Sequence, residues 1–255
     1  MKIIGHHAAG AVLLEMCVDS VDAALAAEAG GADRVELCAN LLEGGTTPSP
    51  GTIALACERL GIPVHVIVRP RGGDFLYTDA EFEVMRRDVL AAKAAGARGV
   101  VIGLLTAEGD VDVPRTAELI ALARPMSVTF HRAFDMARAP HAALESLVGL
   151  GVERLLTSGQ EASALEGLDL IADLCRRAGE RLVVMPGGGI TPRNVGRILA
   201  ASGALEVHVY AAEMVEGPMR HRNTRCFMGG ELRPPEFARA VTTPDAVRAV
   251  REALG

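Results

Sequence analysis

Short apolar runs recur along the chain at regular intervals, near 12–17, 33–38, 63–68, 98–103, 126–131, 152–156, 181–185 and 205–209. Runs of this length, rich in Val, Ile and Leu, predict strands covered on both faces. Between them lie longer stretches of helical periodicity, near 20–29, 49–60, 79–95, 113–123, 139–149, 163–178 and 191–201, and a last one near 244–253. Helix starts are marked by Asp19 or Ser20, by Thr78 or Asp79, and by Thr191 with Pro192 at the first helical position. Gly31, Gly61, Gly96 and Gly151 stand where a helix must end before the next strand. Strict alternation of eight strands with helices predicts a closed (β/α)8 barrel of the TIM type. A doubly wound open sheet would carry a Gly-rich turn after its first strand, and here that turn reads Val18-Asp19-Ser20.

The alternation fails only near the end. After strand eight, 210–242 is rich in Arg, Pro and Gly and reads as a long loop before the last helix. The 255-residue length suits one barrel domain over 11–255, preceded by a leader at 1–10. Apolar residues make up 49% and aromatics only 3%, with a net charge of −6. A core can form, but the basic, aromatic surface that nucleic acid requires is missing, as is a basic face for membrane lipids. No apolar run approaches the ~20 residues of a membrane span. The leader has neither a long apolar segment nor a small-residue cleavage site, so a cytoplasmic protein is expected. Five cysteines without a C-x-x-C pair fit reduced thiols. Lysine occurs only at positions 2 and 93, which leaves no candidate for a buried Schiff-base lysine. No nucleotide-cofactor motif is present.

Candidate chemistry gathers at the C-terminal strand ends, where barrels place their sites. Glu15-Met16-Cys17 and Glu36-Leu37-Cys38 end the first two strands, 21 residues apart. Side chains alternate along a strand, so Glu15 shares a face with Cys17, and Glu36 with Cys38, while Met16 points into packing. Two carboxylates and two thiols are expected at one edge. The thiols would suit Cu(I) or Zn(II), or act simply as small buried apolar groups. Glu15 and Glu36, facing each other with His131 and His208 near, would suit proton transfer. The bland alternative is an internal pair between Arg69 and one of the two glutamates. A third feature points to a small phosphorylated or carboxylated ligand. Gly187, Gly188 and Gly189 form a turn before a helix start, and Ser158-Gly159 repeats the idea one strand earlier. Arg69, Arg71 and Arg132 would add bidentate contacts.

Taken together, LEMCVDSVDAALAAEAGGADRVELCANLLEGGTTPS, PVHVIVRPRGGDFLYTDAEFEVM, VTFHRAFD, ERLLTSGQ, VMPGGGI and MRHRNT resemble the CutC family, named for copper homeostasis. The resemblance runs from about Leu13 to Met228. It implies a single TIM-type barrel, cytoplasmic, often a homo-oligomer, with a part in copper homeostasis. Cys17 and Cys38 match the positions where the family carries the cysteines proposed to bind Cu(I). Three functions therefore stand open. The first is Cu(I) handling through these thiols. The second is an enzyme or sensor for a small anionic metabolite, using Glu15, Glu36 and His131. The third is an oligomeric scaffold that assembles through the long tail.

Overall fold

The structure, a computed structural model, describes residues 12–226 and 238–255. The expected leader, and 227–237 of the long tail, lie outside the described residues. The first half runs β1 (Leu13–Val18), α1 (Val21–Ala29), β2 (Arg34–Leu37), α2 (Pro50–Arg59), β3 (Val64–Ile67), α3 (Asp79–Ala94) and β4 (Gly99–Ile102). The second continues with α4 (Val113–Ala123), β5 (Ser127–Phe130), α5 (Pro140–Leu150), β6 (Arg154–Thr157), α6 (Leu168–Ala178), β7 (Val183–Pro186), α7 (Val195–Ser202) and β8 (Glu206–Val209). All ladders among these strands are parallel, in the order β7-β6-β5-β4-β3-β2-β1-β8. β8 lies beside β7 and completes the ring without a hydrogen-bonded ladder between them. The chain is a (β/α)8 barrel of the TIM type. Among the described residues no helix is long and apolar enough to cross a membrane.

Local chemistry places most helix ends where the sequence puts them. Ser20 accepts from the Ala23 N–H at the start of α1, and Thr78 and Glu81 form a reciprocal capping box on α3. Two starts differ. α7 begins at Val195 rather than at Thr191–Pro192, because the Asn194 side chain accepts from the Thr191 N–H and donates to the Gly189 carbonyl, holding that stretch as a loop. α6 begins at Leu168, after Ser163 caps a separate turn through the Glu166 N–H. The expected 210–242 loop is also more ordered than its composition suggests. It contains an antiparallel ribbon of β9 (Glu213–Glu216) and β10 (Ala238–Val241), after which Thr243 caps α8 (Pro244–Leu254).

The apolar core is a sleeve between the strands and the helices. Leu14, Met16 and Val18 of β1, Val35 and Leu37 of β2, and Val64 and Val66 of β3 all point outward into it. The barrel interior is unusual for this fold, which normally fills its centre with branched aliphatics. Here the strand starts send charged groups inward. Arg34 donates from Nε to Glu15 and from Nη2 to Glu206 at 2.7 Å. Arg154 donates to the same Glu206 oxygen at 2.7 Å and to Ser127 Oγ at 2.8 Å. Two cations and two anions thus floor the barrel, sealed from water at Glu15 and Arg34.

Removing one member of a buried pair leaves an uncompensated charge. Arg34→Met is therefore expected to lower the unfolding free energy by about 3–5 kcal/mol, read from a denaturant melt, whereas breaking an exposed pair such as Arg87–Glu83 should leave the melt nearly unchanged.

Candidate functional site

The thiols come together through a strand offset. Expected to lie level, the two Glu-x-Cys triplets are displaced by two residues: Cys17 pairs in register with Glu36, and Glu15 with Arg34. Glu15 and Glu36 therefore do not face each other. Cys38 stands one step above, its N–H bonded to the Val18 carbonyl. The diagonal still brings the two Sγ atoms to 3.9 Å. Ile67 and Val101 pack around them, forming a small apolar island inside the polar barrel. Ligand atoms of Cys17, Cys38 and Glu36 all lie within 4.8 Å of one another.

β8 supplies the charge that organises these groups. His208 sits opposite Glu15 in the β1–β8 ladder. Its Nδ1 lies 2.8 Å from Glu15 Oε1 and its Nε2 3.6 Å from Glu36 Oε2. Burial alone would raise the Glu15 pKa, but Arg34 first, then His208, hold it well below the usual carboxylate range. Burial likewise opposes charge on His208, yet Glu36, Cys17 and Glu15 together lift it well above its usual value. A hydrogen bond from the Cys38 thiol brings Cys17 down to about 6, against burial and with help from His208. The same bond pushes Cys38 well up. Burial lifts Glu36 to about 8. The centre thus couples an imidazole biased towards its charged form, a Cys17 thiol biased towards thiolate and a Glu36 carboxyl biased towards its protonated form. Glu15, held strongly towards its anionic form, adds to Glu36 and Cys17 in favouring the charged form of His208.

A cavity of about 580 Å³ opens above this floor. Cys17, Glu36 and His208 line it, together with Arg69, Phe75 and His131 and with Arg132, Gly188 and Gly189. His131 fits because Gly103 has no side chain: a Cβ there would lie 2.3 Å from the ring. Burial, with Arg69 nearby, lowers the His131 pKa to about 3. Its Nδ1 accepts from the Ala133 N–H at 3.1 Å, so the ring proton sits on Nε2, which finds no acceptor. His131 is thus biased towards a neutral ring that carries its proton on Nε2.

The remaining expected ligand contacts divide. Arg71 turns away from the cavity, bonded to Glu81 and Asp74 and stacked 5.1 Å from the Tyr77 ring. Arg69 pairs with neither glutamate, since its Nη atoms are taken by the backbone carbonyls of Glu43, Gly45 and Gly73. The phosphate cradle expected at Ser158-Gly159 already holds an anion. The Asp135 carboxylate accepts from the N–H groups of Ser158 and Gln160 and from Arg132 Nε, while the Gly159 N–H is taken by Thr157 Oγ1. Gly187 packs on His208, where a Cβ would come within 3.2 Å of the His208 Cβ. Gly188 and Gly189 reach the cavity with φ of +98° and +68°.

Arg34 and Glu206 escaped the sequence reading because they stand at strand starts, away from the rim. Alternation does place Arg34 on the same face as Glu36, which was the available signal. Phe75 and Tyr210, both on loops lining the cavity, carried no periodic signal at all.

Fold and centre together define a TIM-type barrel with a buried dithiol beside an imidazolium. The CutC family model matches residues 12–213, and the chain belongs to the CutC family. It is 54% identical over 242 residues to a family protein CutC of Chromobacterium violaceum, covering 95% of this chain and 98% of that one. It is 53% identical over 241 residues to a human protein named copper homeostasis protein cutC homolog, covering 94% and 88%. Among solved structures, the putative copper homeostasis protein CutC from Streptococcus agalactiae superposes with a TM-score of 0.74 at 33% identity, over 77% of this chain and 97% of that one. A phosphoribosylanthranilate isomerase from Pyrococcus furiosus, at 13% identity and a TM-score of 0.56 over 95% of this chain and 98% of that one, shares the fold.

Nitrogen-detected NMR of the imidazoles checks the charge assignment. His208 is expected to remain doubly protonated through neutral pH, and His131 neutral with its proton on Nε2 down to about pH 4. His208→Gln should raise the Cys17 pKa, seen as loss of thiolate absorbance at neutral pH.

Proposed function

We propose that the protein binds Cu(I) as cargo in copper homeostasis, with Cys17 and Cys38 as the thiolate ligands. The observation that carries this reading is the pair of buried sulfurs 3.9 Å apart, one of them a thiolate near neutral pH. Metal–sulfur bonds of about 2.3 Å let one ion bridge sulfurs up to about 4.6 Å apart, so a small outward shift accommodates it. Soft thiolates on two ligands and few competing donors favour Cu(I), which accepts low coordination, over Zn(II), which requires four ligands. Glu36 stands close enough to be a third donor once it loses its proton. The name of the human relative supports the same role. Free thiols require a reducing compartment, and on that basis we place the protein in the cytoplasm.

In this reading the Cys38 thiol proton is the one that copper displaces, and His208 acts as an outer partner that keeps Cys17 ionised. Binding then becomes pH-dependent in a fixed direction. Protons compete with the ion, so affinity rises with pH. Above about pH 6 one thiol proton leaves, a slope of about tenfold per pH unit; below it Cys17 is protonated as well and the slope steepens towards two protons.

An anaerobic Cu(I) titration against a strong chelator tests both points. Wild type should take up copper stoichiometrically, Cys17→Ser/Cys38→Ser should not, and His208→Gln should bind about 10–100-fold more weakly. Binding that is indifferent to the two thiols, or flat with pH, would overturn the assignment.

A further inference from the structure

The cavity above the thiols is far larger than an ion needs. At about 580 Å³ it falls within the roughly 300–1,000 Å³ of small-molecule pockets. One corner of it holds polar groups that the protein leaves unsatisfied. Arg69 is only 6% exposed, yet its partners are the neutral carbonyls of Glu43, Gly45 and Gly73. Among the described residues no carboxylate pairs with it, and its Nε–H has no acceptor. Arg34, equally buried, holds two carboxylates. A buried guanidinium without a counter-charge is costly. Beside it the Nε2–H of His131, 4% exposed, is also unpartnered.

Phe75 joins the two. The Arg69 guanidinium lies 5.2 Å from the centre of the Phe75 ring, and the Phe75 and His131 rings are 5.2 Å apart. The corner thus combines one positive charge without a carboxylate partner and an aromatic surface, with two unpartnered donors buried just behind them. The other arginine of the cavity, Arg132, is already neutralised by Asp135 at 2.7 Å.

We propose that this corner is the binding site for a small organic carboxylate. Its carboxylate would lie against the Arg69 guanidinium, reaching the Arg69 Nε–H and His131 Nε2–H as the side chains that cover these buried atoms shift, and its apolar body would lie against Phe75 and Ile67. A monoanion matches the single free charge. A phosphate dianion would leave net negative charge in a cavity that Glu43 and Asp135 also line. The site uses neither thiol, so it stands whether or not copper binds below it.

Calorimetry with benzoate tests the proposal, using benzamide as the neutral isostere and inorganic phosphate as the competing oxyanion. Benzoate should bind saturably and at least tenfold tighter than either control. Arg69→Gln should weaken it at least tenfold. Because Arg69 also ties two loops, a second measurement is independent of folding: in the wild-type protein the benzoate ring protons should show nuclear Overhauser contacts to the Phe75 ring. No saturable benzoate binding would overturn the site. So would benzamide or phosphate binding as tightly, unchanged benzoate affinity in a folded Arg69→Gln, or benzoate bound without contact to Phe75. A Cu(I) titration of the same samples separates this outcome from the copper reading.

Discussion

The contact on which the rest of the centre depends is the buried pair of Arg34 and Glu15. Arg34 keeps Glu15 ionised against full burial. Glu36, Cys17 and the ionised Glu15 in turn raise the His208 pKa against burial, and His208 favours the thiolate of Cys17. Each step moves charge one residue nearer the mouth, from the floor at the strand starts to the sulfur. The network balances as it goes: Glu206 answers Arg34 and Arg154 together, and burial biases Glu36 towards its neutral form. Buried ions on this scale persist only when each has its counterpart.

Such an interior is possible because stability is supplied elsewhere. The outward faces of the strands and the inner faces of the helices form a continuous apolar sleeve, which leaves the inward faces free for chemistry. Space inside is made by small residues rather than by strand distortion. Gly99 lies under the His65 ring and Gly103 beside His131, each where a Cβ would collide with the imidazole, and Gly187 stands where a Cβ would collide with Leu156 and crowd His208. The glycines are thus the complement of the histidines.

The mouth carries two chemistries at different depths. The lower one is soft and proton-coupled, built on sulfur and imidazolium between β1, β2 and β8. The upper one is a hard, oxyanion-seeking corner built on Arg69 and His131, on β3 and β5 extensions. They share a cavity but no donor atom, so occupancy of one does not chemically require the other.

By itself the sequence determined the barrel, because eight apolar runs and their intervening helices have a period that only one closed architecture satisfies, and it marked the rim where Cys17, Cys38, Glu36 and His131 would lie. Period-two alternation settles which face each side chain takes, but it is silent on the offset between neighbouring strands. The ladder set Cys17 beside Glu36 and separated Glu15 from Glu36. Tertiary structure also decided every charge. Ser158 and Gly159 read as an anion cradle, yet Asp135, 23 residues before Ser158, fills it. Arg69 looked like a partner for a glutamate, and Glu15 found Arg34 instead. A protonation state follows from burial and from which charges stand within a few ångströms, and both arise only when distant strands close into a ring.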